Sequence, residues 1–523
     1  MAPSSRSRGV LALDLGTSSV RAVIYDARGR MIEPTLCDLS YKVDTTAPGQ
    51  VTSDPDLLLR LILRTIDSSL GAAHKAKIDV LGVGASCYWH SLMGVDRDGR
   101  PTTPLFTWAD TRSAGETRKF RTRADERTYH RRTGCYFHAS FWPAKLRWLR
   151  ATQAVAVRRT ARWISLGEYL YQHLLGEYRV SISIAAGTGL LDVHRCRWDV
   201  AALRLAGITA DRLSPLEDWD EALRDLRPAF AKRWPALIGV PWYLPLGDGA
   251  LANVGAACLK PQWFCATIGT SSALRVILER DRLAIPWGAW VYRLDRRRFV
   301  LGGALSEGGN VMRWITDGLG LKHKKKVERA AATMLPDQHG LTVLPFWAGE
   351  RSPNWRGDAR AAITGLSLST EPAGLVRAAM EAISYQFVAV ATAMRRVVPQ
   401  PRAVIATGGQ LIHSRAWCQM LADALKIPVI TSPETEASSR GAALLALFAL
   451  GILPGLWDQS PRRGRAFQPR AAAHRTYELA RRRQQRLYEL LLPPPGQPEH
   501  ATPSAAAGSS PKRTGLRTPA ARH

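Results

Sequence analysis

Twice in this chain, about 250 residues apart, an apolar run leads into a glycine–hydroxyl loop and out into a second apolar run. The first unit consists of the run 10–13, the DLGTSS turn at 14–19 and the run 20–25, followed by a second turn at Asp26-Ala27-Arg28-Gly29. The second consists of Ala266-Thr267-Ile268, the loop Gly269-Thr270-Ser271-Ser272 and the run 274–277. Short apolar runs bounded by Gly and Ser turn signals read as the two strands of a hairpin. The interval is too long for a solenoid repeat, so the duplication predicts two related half-molecules facing one cleft.

The length agrees with that division. A chain of 523 residues exceeds the size at which a single core keeps growing, so two large domains are expected. The composition, 46% hydrophobic and 22% charged, is that of a globular chain, and no run of about 18 apolar residues indicates a membrane span. Arg6 and Arg8 precede only a short apolar stretch that runs into Asp14, so a secretory signal is not expected and the chain reads as cytoplasmic. Seven scattered cysteines without a CxxC pair read as reduced core thiols, not a disulfide framework or a zinc site.

The net charge of +28 raises the question of nucleic acid. Its clusters, at 324–326 and 481–483, lack the interleaved aromatics of a single-strand groove. A solvated basic surface that attracts anionic substrates is expected, with no nucleic-acid or membrane partner; a homodimer is left open. Apolar residues three and four apart predict helices over 372–394, 414–425, 439–450 and 474–492, the last with Tyr477, Leu487, Tyr488 and Leu491 on its apolar side. The Ala/Ser/Pro/Arg-rich stretch 493–523 cannot bury a core and reads as a disordered tail.

A strand-borne carboxylate followed by glycine and small hydroxyl residues suits nucleotide phosphates, because backbone N–H groups stand open and Ser or Thr adds donors without bulk. In the first loop these residues are Asp14, Gly16, Thr17, Ser18 and Ser19. Asp14 could hold Mg²⁺ through water, since that ion keeps much of its hydration shell. Either loop alone also reads as an ordinary polar turn, whereas a facing pair could clamp one triphosphate.

The stretches LALDLGTSSVRAVIYDARG (11–29), GASCYWHSLMGVDRDG (84–99), WADTRS (108–113), GDGALANVGA (247–256), IGTSSALRV (268–276), GERSPNWRGDARAAITGL (349–366) and ATGGQLIHSRAWCQMLADALKIPV (406–429) together resemble the FGGY carbohydrate kinases, within the actin-like ATPase superfamily. The resemblance implies two α/β, ribonuclease H-like domains facing an interdomain cleft, at 9–245 and 246–492, sugar bound mainly by the amino-terminal one and nucleotide by the carboxy-terminal one. It implies transfer of the γ-phosphoryl of ATP, with Mg²⁺, to a hydroxyl of a small sugar or sugar acid.

By the same resemblance the Ser18 and Thr270 loops face each other across the phosphates, with Gly16, Thr17, Ser19, Arg21 and Gly269 nearby. Gly408, Gly409 and Gln410 match the adenosine loop, and Gly309 a further nucleotide-side glycine. Asp248 is implied as the catalytic base, a role worth roughly 10²–10⁴ in rate; its residues alone would read as a turn. On the sugar side stand Trp89, as a stacking platform, His90, as a donor to a hydroxyl, and Asp110 and Arg112 of the W-x-D-x-R segment. Arg112 could meet a sugar-acid carboxylate in a bidentate pair. Gly187 and Thr188 either line this pocket or shape a turn beside it.

The TSS of the first loop, where many members read TTS, and Trp142 ahead of PAKLRWL preserve the chemistry but loosen any transfer of substrate. YWHSLMG and RTGCYFHASFWPAKLRWL are most similar to gluconate kinase-like members, with xylulose, ribulose or glycerol as alternative acceptors. A non-catalytic sugar or nucleotide sensor is the alternative of another class, and intact Asp14, Asp248 and both loops speak against it.

Overall fold

The structure, a computed structural model, describes residues 7–492. The expectation of a disordered tail at 493–523 therefore lies outside the described residues. The first half is built on β1 (Ser7–Leu15), β2 (Ser19–Asp26), β3 (Cys37–Ser40) and β4 (Ile78–Cys87), with helix α1 (Pro55–Lys75) connecting β3 to β4. Three short strands, β5 (Ala222–Leu223), β6 (Trp242–Tyr243) and β7 (Leu246–Gly247), complete the sheet in the order β5-β6-β4-β1-β2-β3, with β7 beside β4. β1, β2 and β3 run antiparallel, while β1 and β4 run parallel and set Asp14 opposite Ser86.

The second half repeats this plan. It contains β8 (Trp263–Ile268), β9 (Ser272–Glu279), β10 (Trp290–Arg293), β11 (Arg298–Leu305), β12 (Ala403–Thr407), β13 (Val429–Thr431) and β14 (Ala466–Phe467), ordered β10-β11-β9-β8-β12-β13-β14. The run β11-β9-β8-β12-β13 reproduces β3-β2-β1-β4-β6, two antiparallel steps followed by parallel ones. That shared order is the one expected of two ribonuclease H-like units.

Strands β1 and β2 are buried on nearly every residue, as a sheet covered on both faces requires. One cover is α1, which starts on Pro55 behind an Asp54 cap and buries Leu58, Ile62 and Ile66. The other comes from the second half. α5 (Ala437–Ala449) follows α2 (Asp248–Gly255), α3 (Pro372–Met394) and α4 (Arg415–Leu425), and it packs on α2, β1 and β4. The Tyr25 hydroxyl lies 3.2 Å from Ser439 Oγ, and Arg440 Nε donates to the Gly29 carbonyl at 2.9 Å. The two halves thus share a buried seam at the base of the cleft.

The four predicted helices are present. Ser414 caps α4 from outside, accepting from the Trp417 N–H, and the last helix, α6, spans Ala471–Leu491. Its apolar side is narrower than the periodicity suggests: Tyr477 is buried and Leu487 and Tyr488 pack half-buried against the body, but Leu491 is half exposed on the solvent side. The cysteines are free and buried, with Cys37 half-buried. Among the described residues no helix is long and apolar enough to cross a membrane.

Candidate active site

Each hairpin lifts its loop at the carboxyl end of its first strand. In the first, pairing ends at Leu15 opposite Val20, and the Gly16 N–H donates to the Ser19 carbonyl at 3.0 Å. Ser18 is exposed at the tip, Gly16 and Thr17 are half-buried, and Ser19 is buried. In the second, pairing ends at Ile268 opposite Ser272, the Gly269 N–H donates to the Ser271 carbonyl at 2.9 Å, and Thr270 is exposed at the tip.

The nucleotide-side candidates gather round the second loop. Gly309 N–H donates to the Gly269 carbonyl at 2.7 Å and Asn310 N–H to the Thr270 carbonyl at 3.2 Å. Gly408 follows β12, the parallel neighbour of β8, at φ +81°, and a Cβ there would stand 2.7 Å from the Ile268 carbonyl, so only glycine suits the position. Gly409 and Gln410 are exposed beyond it, and a Cβ on Gly309 would lie 3.1 Å from Gln410 Nε2. Gly269, Thr270, Gly309, Gly408 and Gln410 therefore share one end of one sheet.

Arg21, at the foot of the first loop, is engaged by carboxylates. Its guanidinium is held by Asp14 at 3.2 Å, Asp38 at 2.9 Å and Glu436 at 3.6 Å. Burial pushes the Asp14 carboxyl upward, against the pull of Arg21. Asp248, the first residue of α2, is half-buried, with Oδ1 accepting the Gly249 N–H at 2.8 Å. Burial first, and the charge of Asp14 second, raise its pKa to about 6, with Arg275 opposing. A carboxylate near that value is ionised at neutral pH yet basic enough to accept a proton.

Beside Asp248 lies a cavity of about 160 Å³ walled by both halves: Trp89, His90 and Trp108 from the first, Arg275, Tyr292 and Arg351 from the second. Trp89 is packed into the cavity wall. Its Nε1 donates to the Ser183 carbonyl at 2.9 Å, and its edge meets Trp290 and Tyr292 at 5.7 and 5.0 Å. The ring rests on Gly247, where a Cβ would come within 1.9 Å of it, so the glycine before Asp248 is there for close approach.

His90 takes the opposite hydrogen-bonding role from the one anticipated. Its Nδ1 lies 2.5 Å from the Gly187 carbonyl, which can only accept, so Nδ1 carries the proton and Nε2 is left as an acceptor. Burial lowers the ring pKa to about 3, which keeps it neutral. Gly187 and Thr188 form the turn that fixes this ring, with Thr188 Oγ1 donating to the Ala185 carbonyl.

Asp110 and Arg112 are not among the cavity-lining residues. Asp110 is fully buried, accepts the Val51 N–H at 3.0 Å and takes Arg112 through Nε at 3.0 Å and Nη2 at 2.7 Å, while the guanidinium stacks on Trp148 at 4.8 Å. The arginines that do face the cavity, Arg275 and Arg351, lie inside motifs legible in the sequence. Nothing in those motifs signals that they point inward. A larger cavity of about 670 Å³ opens on the far side of Trp355, and a cluster of Asp337, His339 and Glu381 lies apart from both, with Arg377 and Arg483 already neutralising its carboxylates.

Residues 9–255 match the amino-terminal domain, and 265–450 the carboxy-terminal domain, of the FGGY family of carbohydrate kinases. Among curated relatives, the gluconokinase of Bacillus subtilis (strain 168) is 29% identical over 84% of this chain and 88% of its own length. The glycerol kinase of Polaromonas naphthalenivorans is 28% identical over 90% and 97%. Among solved structures, a gluconate kinase from Lactobacillus acidophilus aligns with TM-score 0.85 at 24% identity over 93% of this chain and 98% of the other. A ligand-bound xylulose kinase from the same organism aligns with TM-score 0.84 at 24% identity over 92% and 98%.

Proposed function

This chain belongs to the FGGY family of carbohydrate kinases and is an ATP-dependent phosphotransferase acting on a carbohydrate hydroxyl; on that premise we propose that Asp248 is its catalytic base. The observation that carries the reading is the position of Asp248, in the wall of a cavity lined by both halves, with a pKa raised to about 6. The Asp248 carboxylate takes the proton from the attacking hydroxyl as the phosphoryl group arrives. The loops of Ser18 and Thr270 hold the β- and γ-phosphates through open N–H and hydroxyl donors, and Gly309, Gly408, Gly409 and Gln410 receive the adenosine. His90 Nε2 accepts from one acceptor hydroxyl, and the packed faces of Trp89 and Trp108 keep water from the reacting atoms.

Asp14 and Asp248 also suit Mg²⁺. They are two carboxylates close enough for one to raise the other's pKa, the hard oxygen donors that such an ion takes. When bound, the ion would offset charge on the phosphates, with Asp14 as the residue that holds it through water. The acceptors for which relatives are named, gluconate, xylulose and glycerol, define the panel to test. Acceptor-dependent ADP release should fall by roughly 10²–10⁴ in Asp248→Asn while ADP binding persists. Retained turnover in that variant would remove Asp248 from the chemistry.

A further inference from the structure

Two buried arginines face the acceptor cavity, and neither has an acidic partner. Arg351 is 7% exposed; its Nη2 donates to the Leu305 carbonyl at 2.7 Å and its guanidinium lies 4.4 Å over the Trp108 ring. Its Nε has no hydrogen-bond partner. Arg275 is 5% exposed, donating through Nε to Asn253 at 3.1 Å and through Nη2 to Thr267 Oγ1 at 2.6 Å. Among the described residues no carboxylate lies within ion-pair distance of either. Both line the same small cavity as Asp248 and His90.

A buried guanidinium normally meets a carboxylate, because an unpaired charge away from water is unfavourable. Here the nearby acids do not supply one. Burial raises the Glu307 carboxyl to about 8, so it is protonated at neutral pH, and His90 is neutral. Two fixed positive charges thus face at most one negative group, Asp248. We propose that the acceptor supplies the missing anion: Arg275 and Arg351 are specificity residues that receive a carboxylate of a sugar acid, leaving its hydroxyls toward His90 and Asp248. This rests on the kinase reading above and names the acceptor class for that same site. Guanidinium suits the task because its planar donors match the two carboxylate oxygens.

The test compares gluconate with glucitol, which differ only in a carboxylate against a CH₂OH, by calorimetric titration of the full chain in the presence of ADP. Gluconate should bind about 10- to 100-fold more tightly, the factor expected of a charge-assisted pair. The ratio should collapse toward one in Arg275→Gln and Arg351→Gln and be partly kept in Arg351→Lys. Equal binding by the wild-type protein overturns the proposal, and because that comparison needs no variant, poor folding of a substituted chain leaves it decisive. Loss of ADP affinity in the variants with the gluconate preference intact also overturns it, by assigning the arginines to phosphate. Turnover is read separately: phosphorylation of neutral acceptors without a gluconate preference sinks the carboxylate site and keeps the kinase. A gluconate preference with no turnover of any acceptor does the reverse.

Discussion

The two loop-bearing hairpins share pairing, neighbours and exposed hydroxyl tips, yet they handle charge in opposite ways. In the first, Arg21 is enclosed by Asp14, Asp38 and Glu436. In the second, Thr267 stands two residues before the loop glycine, where the first hairpin has Asp14, and Arg275 is satisfied by the neutral oxygens of Asn253 and Thr267. A duplicated scaffold has therefore been loaded asymmetrically. Round the first hairpin three carboxylates meet one arginine, whereas the second presents an arginine bonded only to neutral oxygens.

The strongest way to probe this asymmetry is through pH. Asp14 belongs to the first hairpin and pushes Asp248 up, while Arg275 of the second pulls it down. With Asp248 as the proposed base, working ionised, kcat/KM should hold above about pH 6 and fall about tenfold per unit below it. In Asp14→Asn a like charge is removed, so the midpoint of the remaining activity should move to lower pH. A midpoint that moves upward would contradict the assigned coupling.

Next in size is a dissociation between stability and binding. Arg21→Gln leaves three carboxylates facing one another and should lower unfolding free energy by about 1–3 kcal/mol in a denaturant titration. Arg275→Gln exchanges a buried charge for a neutral amide and should change stability by about 1 kcal/mol or less. If Arg275→Gln proves the more destabilising, the charge comparison is wrong. The smallest effect concerns what the hairpins share: Ser18→Ala and Thr270→Ala each remove one exposed hydroxyl and should each raise KM for ATP by about 2- to 10-fold. A marked inequality would mean that one loop alone grips the phosphates.

Local signals carried much of this architecture. Both hairpins follow from short apolar runs bounded by Gly and Ser, and α3, α4 and α5 follow from three-and-four spacing, because those patterns act over a few residues. Asp248 became legible only through resemblance, since Gly-Asp-Gly by itself is a turn. Side-chain direction was harder to read. Asp110 and Arg112 looked like ligand-binding residues but satisfy each other two positions apart, and Trp89, anticipated as a stacking platform, is pressed on Gly247. The tautomer of His90 depends on the Gly187 carbonyl, 97 residues away in sequence. Arg275 and Arg351 went unmarked because a buried arginine without an acid can be recognised only once all its neighbours are known.

The central claim is that the Ser18 and Thr270 loops hold one triphosphate in front of Asp248. A crystal structure with a non-hydrolysable ATP analogue, Mg²⁺ and gluconate tests it most directly. The β- and γ-phosphates are expected between the two loops, with an acceptor hydroxyl in hydrogen-bond reach of Asp248 and the carboxylate on Arg275 and Arg351. Phosphates bound elsewhere, such as in the larger cavity beyond Trp355, with Asp248 out of reach of any acceptor hydroxyl, would contradict it.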